Sequence, residues 1–396
     1  MSTKNLQQSI ASLSLIVAGC TAPQAILAAE SLAEAFSEGK ASLNMRYRYE
    51  AVDDGKVTTD DATAHTLRTR LGFTTGSYKD FTAHADFEVI NTGGDFDSGS
   101  NGAAGYAKVV DPKGEELNQL FLSYAGFSDT DLKIGRQRII LDNARFVGNV
   151  GWRQNEQTFD GLKITNTSFE DVTVTLAQIS QINTITGGEV DTSHTILNVG
   201  IDKTPLGKVS AYAYLLDNDD STADTNTVGV RVKGSSDSLL YTAEFAQQSD
   251  AGDNTSDISA TYLFAEGGYK LDSTKVFFGY ESLGSDDGAY GFQTPLATKH
   301  AFNGWADKFL ATPAGGLNDL YIKAVTKVAG MKLVGIYHDF SSDEGSVDYG
   351  TELDIVLVKP INKNFKGILK FADYSADEYS KDTQKIWLAL EANFKQ

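Results

Sequence analysis

The sequence predicts an all-β protein: a single up-and-down antiparallel transmembrane β-barrel of about eighteen strands. Three observations carry that expectation. Short segments alternate apolar and polar residues with a period of two, the mark of strands with one greasy and one wet face. Short and long connections alternate along the chain, as they do between the two rims of a barrel. Composition agrees: 37 Gly, only 6 Pro, and 17 Tyr with 21 Phe in 396 residues. No internal run reaches the roughly 20 apolar residues of a membrane helix.

The N-terminus reads as an export signal over 1–29, with Lys4 its only charge, the apolar segment Ile10–Ala18, and Leu27-Ala28-Ala29 as a cleavage site. Val17-Ala18-Gly19-Cys20 also fits a bacterial lipobox, and Cys20 is the only cysteine, so the mature chain has no disulfide. Residues 30–40 form a short periplasmic lead-in, and the barrel occupies 41–396.

In ASLNMRYRYE, Leu43, Met45, Tyr47 and Tyr49 share one parity, and Asn44, Arg46, Arg48 and Glu50 the other. TLRTRLGF and AHADFEV repeat the pattern with Arg68, Arg70, Asp86 and Glu88 on the wet side. Similar segments fall near 41–52, 63–76, 80–91, 116–126, 130–141, 157–167, 170–181, 194–203, 206–217, 225–234, 237–248, 257–271, 274–284, 317–328, 331–342, 347–359, 363–375 and 383–395. Short turns such as GFSDT and KTPLGK follow the even segments. Longer loops follow odd ones: Asn91–Glu115, Asp142–Glu156, Thr184–Ser193, Asp217–Asp224, Asp250–Ser256 and Gly284–Gly316. A soluble β-solenoid or paired sandwiches would also alternate. Strands of about ten residues suit a tilted membrane span, and an even count puts both termini on the short-turn side.

The formal net charge of −19 argues against nucleic acid, whose backbone needs a basic partner. Yet eight of the nine arginines (46, 48, 68, 70, 136, 138, 145, 153) precede residue 154. A guanidinium facing lipid costs about 2–4 kcal/mol at mid-membrane, so the lumen is the expected side. The first, second, fifth and sixth strands would then form one basic wall of Arg46, Arg48, Arg68, Arg70, Arg136 and Arg138. In the fifth strand, Leu132 and Ile134 share parity with Arg136 and Arg138. A β-bulge near Gly135 would turn both arginines inward and Gln137, Ile139 and Leu141 outward, and one at Gly161 would aim Asp160 inward. Such a wall either attracts anions to a constriction or pairs with Asp86, Glu88 and Asp160 to brace the barrel. The acidic loops DNDDSTAD, SDAGDNTSD and SDD contribute a large share of the net negative charge. DNDDSTAD lacks the full spacing and terminal Glu of a calcium loop, so no metal is assigned, and no cofactor motif is present.

With these strands placed, the chain resembles the alginate-export family of outer-membrane barrels and its porin relatives. Three passages carry the likeness: SLAEAFSEGKASLNMRYRYE, LKIGRQRIILDNARFVGNVGWRQNEQTFDGLKI, and HAFNGWADKFLATPAGGLNDLY at 300–321. The resemblance implies an eighteen-stranded bacterial outer-membrane barrel, surrounded by lipid and lipopolysaccharide, that passes acidic polysaccharide or smaller solutes through an arginine-lined constriction. On that likeness Arg136, Arg138, Arg145, Arg153 and Asp160 would line the path. The chain ends ANFKQ, with Phe394 two residues short of the terminal aromatic common in such barrels.

In 300–321, Phe302, Trp305, Phe309 and Leu310 fall at near-helical spacing ahead of Pro313, the pattern of a short helix packed on the rim or folded into the mouth. Catalysis finds no support: the five histidines (65, 84, 194, 300, 338) are scattered outside any nucleophile motif, with His338 expected in a strand near the rim. The expectation is a passive channel for hydrophilic, anionic solutes. The alternative is a barrel that only displays its loops for binding or adhesion.

Overall fold

The computed structural model describes residues 29–99 and 102–396, so the export signal and Cys20 lie outside the described residues. The lead-in contains one helix, Leu32–Ser37, whose N-cap Ser31 accepts from the Glu34 amide. It lies against the short-turn rim, where the Gly76 amide donates to Ala35 O at 2.7 Å and Phe36 stacks on Phe73.

Eighteen antiparallel strands form one sheet that closes on itself. The first eight are β1 (Lys40–Asp53), β2 (Ala62–Thr74), β3 (Phe81–Gly93), β4 (Gly114–Phe127), β5 (Thr130–Gln137), β6 (Thr158–Asn166), β7 (Val172–Asn183) and β8 (Glu189–Thr204). Closure comes from pairing β1 with the last strand, Thr383–Lys395, in continuous register from Ser42↔Lys395 to Asp53↔Gln384. A two-residue hairpin, Ser285–Asp286 with Tyr290–Gly291, stands apart in the long loop after strand Thr274–Leu283.

Burial alternates as the period of two requires. Leu71, Phe87, Leu120, Ile134, Leu162, Leu215, Phe245 and Phe278 are exposed around the outer face, which in a membrane meets hydrocarbon. Arg46, Arg48, Glu50, Arg68, Arg70, Asp86 and Glu88, one residue out of phase, are buried inside. The lumen also holds the main apolar cluster, including Phe146, Tyr212, Tyr262, Phe292, Trp305, Phe309, Phe340 and Trp387. Phe146, Phe292, Trp305 and Phe309 belong to loops, so an aromatic core inside a barrel means that loops enter it.

Three sequence expectations need correction here. The fifth strand stops at Gln137 instead of reaching 141, because the chain turns into the lumen there. The connection after β7 is a tight turn, not the loop Thr184–Ser193, since β8 already begins at Glu189 and Gly188 O accepts from the Thr184 amide. The segment 300–316 forms turns without a helix. Its Trp305 and Phe309 are buried, while Leu310 is exposed.

Candidate functional site

Two long loops fold inward and meet. The loop 138–157 leaves β5 and crosses the lumen, and the loop 292–316 reaches it from the opposite wall. Arginines of β1 and β2 hold the first loop by its backbone. Gly151 O accepts from Arg46 Nη1 at 3.1 Å, Trp152 O from Arg48 Nη2 at 2.5 Å, Arg153 O from Arg46 Nη2 at 2.5 Å, and Gln154 O from Arg68 Nη1 at 3.0 Å. Four consecutive carbonyls are satisfied this way, a task suited to the five-donor guanidinium fork. Gln154 completes the clamp, accepting from Arg46 Nε at 2.9 Å and donating to Thr66 Oγ1 at 2.7 Å. The direct cross-strand opposition of Arg46 and Arg68 is offset by this loop and by Glu391 and Glu88.

The remaining inward arginines are also paired. Arg48 meets Asp111 at 3.2 Å. Arg70 lies 2.8 Å from Glu156, which also accepts from Arg138 Nε at 2.8 Å. Arg145 crosses to Glu281 at 2.7 Å and to Asn303 of the second loop at 2.9 Å. Arg153 joins Glu50 at 3.1 Å and Asp307 of the second loop at 3.0 Å. Burial alone would raise the Glu156 carboxyl, but Arg138 and Arg70 outweigh it and hold the group far below the usual carboxylate range.

The second loop docks through close backbone approach. Trp305 N donates to Asp354 Oδ2 at 3.1 Å and Ala306 N to Glu352 Oε1 at 2.7 Å. Gly304 is required there, with φ +83° and room for a Cβ only 2.3 Å from Glu352 Oε2. The three tryptophans of the sequence surround one ammonium. Lys370 Nζ lies 3.8 Å from the Trp305 ring, 4.1 Å from Trp152 and 5.3 Å from Trp387. His300 stacks on Trp152 with centroids 4.8 Å apart. Its Nε2 accepts from Lys370 and its Nδ1 faces Asp307, each at 2.6 Å, which selects the neutral Nδ1–H tautomer. Burial drives the His300 imidazole well below its ordinary value despite Asp307. Burial opposes the Asp307 charge, but His300, Lys385 and Arg153 together hold its carboxyl well below the usual range.

The two glycine bulges are not where the sequence suggested. Register runs unbroken through Gly135, with Leu120↔Arg136 and Phe121↔Gly135 on one side and Arg136↔Asp160 on the other. Arg136 and Asp160 therefore keep the parity of Ile134 and Leu162, the outer-face residues. Gln137 and Ile139 point inward and are buried, the reverse of the expectation. The slip near Gly161 arises on β7, where Asp160 pairs Gln181, Gly161 pairs Ile179, and Ser180 is left over. A further slip on β4 turns Asn118 and Gln119 both inward. Arg136 sits at the strand ends, bound to Asp160 at 2.9 Å and Glu189 at 3.3 Å. Arg138 lies past the strand and does enter the lumen, within reach of Glu156 and Asp86.

A second cationic feature was missed. Four lysine pairs stand directly opposite each other across neighbouring strands: Lys133↔Lys163, Lys208↔Lys233, Lys270↔Lys275 and Lys327↔Lys332. Each shares parity with a buried inner residue, such as Gln137, Ser210, Leu283 and Val334, and all lie toward the short-turn rim. Like charges so placed repel, so an array of four such pairs is costly unless the space they face is wet. Parity combined with distance from the short turns would have revealed them. Among the histidines, His338 faces inward, with Nδ1 2.8 Å from Asp319.

A family model described as Alginate export matches residues 39–279, covering all of the second passage that carries the resemblance and the first from Gly39 on. No curated protein matches the sequence. Among solved structures, Pseudomonas aeruginosa OccK5 (OpdH) is 15% identical with a TM-score of 0.71, over 91% of this chain and 99% of that one. P. aeruginosa OccK9 (OpdG) is 13% identical with a TM-score of 0.72, over 91% and 100%. P. aeruginosa OpdK, solved with vanillate, is 14% identical with a TM-score of 0.69, over 91% and 100%.

Proposed function

This chain belongs to the alginate export family, and on that premise we propose that its outer-membrane barrel is a porin-type channel for passive diffusion of hydrophilic, anionic solutes. Acidic oligosaccharides and small organic anions are the solute class. The observation that carries the reading is the array of lysine pairs on the inner face toward the short-turn rim. Rings of Lys or Arg favour anions in a narrow pore, where local charge outweighs net charge. Vanillate, named with the similar barrel OpdK, is a small carboxylate, and that agrees with the class.

In this reading the arginines divide. Arg46, Arg48, Arg68, Arg70, Arg145 and Arg153 have at most 9% of their side chains exposed and brace the inward loops. Arg138, with 34% of its side chain exposed, is the one best placed to meet a passing solute, whereas Arg136 stays on the outer parity. Asp160 positions Arg136.

Reversal potential in a salt gradient across planar bilayers tests the proposal. Wild type is expected to prefer anions. Lys133→Gln/Lys163→Gln should move the potential toward cation preference, and by more than Arg136→Ala/Arg138→Ala does. Cation preference in wild type, or no channel current from folded protein, would overturn it.

A further inference from the structure

Because β5 ends at Gln137, β4 and β6 have no strand between them near the long-loop rim. A cavity of about 150 Å³ fills this notch. Among the side chains lining it, the carboxylates Glu88, Glu115, Glu116 and Glu189 outnumber the cations Lys113 and Arg136. Arg136 is committed to Asp160 and Glu189.

Glu88 and Glu116 stand directly opposite each other on β3 and β4, an unfavourable pairing of like charges. One oxygen of each is already used: Glu88 Oε2 accepts from Arg70 Nε at 2.7 Å, and Glu116 Oε2 from Asn155 Nδ2 at 3.2 Å. Glu88 Oε1, Glu116 Oε1, Asn155 Oδ1 and Asn183 Oδ1 have no hydrogen-bond partner among the described residues. The three residues Glu88, Asn155 and Asn183 are only 0%, 5% and 2% exposed, and all four line the cavity. The amide orientations are fixed, since Asn155 Nδ2 also donates to Thr184 O at 3.2 Å and Asn183 Nδ2 to Asp160 Oδ1 at 3.0 Å. Both amide oxygens are therefore the atoms left over.

Buried acceptors without donors are rare in folded proteins and ask for an explanation. Four around one small acidic cavity, with no nitrogen or sulfur donor, match a hard cation. Calcium takes about 6–8 oxygen ligands, readily mixing carboxylates, amide carbonyls and water. The cavity has room for an ion and several waters, at roughly 30 Å³ per water. Nowhere among the described residues do three or more His, Cys, Asp or Glu gather to hold a metal, so the amide oxygens are essential to this set.

We propose that the notch binds one hard divalent cation of calcium type through Glu88 Oε1, Glu116 Oε1, Asn155 Oδ1 and Asn183 Oδ1, with water completing its shell. The ion ties β3 and β4 to the inward loop and to β7 where the wall lacks a strand.

Calorimetric titration of calcium chloride into the chelator-treated, full-length barrel in detergent tests this, with folding verified by heat-modifiable gel mobility. Wild type should bind one ion. Glu116→Gln, which keeps side-chain shape, should weaken binding at least tenfold. Asn155→Ala is the second variant and should also weaken it, so misfolding of one does not shelter the proposal. Asp219→Asn, in an exposed acidic loop, should leave affinity unchanged. No binding by folded wild type up to about 10 mM calcium, equal affinity in both notch variants and wild type, or binding of a polyamine in place of calcium would each overturn it.

Discussion

Asp307 accepts from Arg153, from Lys385 at 3.0 Å and faces His300, all nearly solvent-free. Asp307→Ala leaves Lys385 buried without its carboxylate and Arg153 with Glu50 alone at close range, and should cost roughly 3–5 kcal/mol in urea unfolding from lipid vesicles. The pH dependence has a definite sign. His300 is held below its ordinary value of 6.5, so the unfolded chain takes up this proton first. Stability is thus full above about pH 6.5 and declines as pH falls below it. Asp307, also depressed, adds a further loss only as pH falls below its ordinary 3.8 toward its folded value. The thermal midpoint should be lower at about pH 5 than at about pH 7.5, with His300→Gln flattening the difference. The inward side of β1 and β2 was legible from parity alone. Their partners were not: Glu50 and Asp307 lie 103 and 154 residues from Arg153, a separation over which one sequence carries no pairing signal.

At the level of elements, the strands were readable because each repeats the same two-residue rule, and most observed ends fall within two or three residues of expectation. Bulges were not. Gly135 and Gly161 suggested slips on their own strands, whereas register is settled by both partners, and the extra residues are Ser180 on β7 and Asn118 on β4. The helical spacing of Phe302, Trp305 and Phe309 misled for a related reason. The Trp305 and Ala306 amides find acceptors on Asp354 and Glu352 of the wall, removing the need for helical ones. Gly304→Val should prevent that docking, because its Cβ would meet Glu352. Single-channel conductance should then rise, with bursts of noise from the released loop. An unchanged conductance would mean that this loop does not narrow the path.

Across the whole molecule, acidic long loops at one rim and lysine pairs at the other set up a field along the lumen. Exposed charges are screened over about 3 Å at 1 M salt and about 10 Å at 0.1 M. Anion preference should therefore weaken steeply between those salt concentrations if lysines facing water generate it. A preference independent of salt would point to the buried arginines. Global architecture was the most legible level of all, since alternating loop lengths and an even strand count describe a closed barrel without any contact being known.

The seam between β1 and the last strand has a consequence for the order of assembly. The wall cannot close until the last strand, Thr383–Lys395, has arrived beside β1. By then both inward loops, made earlier, must already occupy the space being enclosed, because Arg46 and Arg48 of β1 grip one of them and Trp387 of the last strand packs edge-on to Trp152 of the same loop. The closing strands carry the interior's fastenings, so sealing the wall and locking its contents are one event.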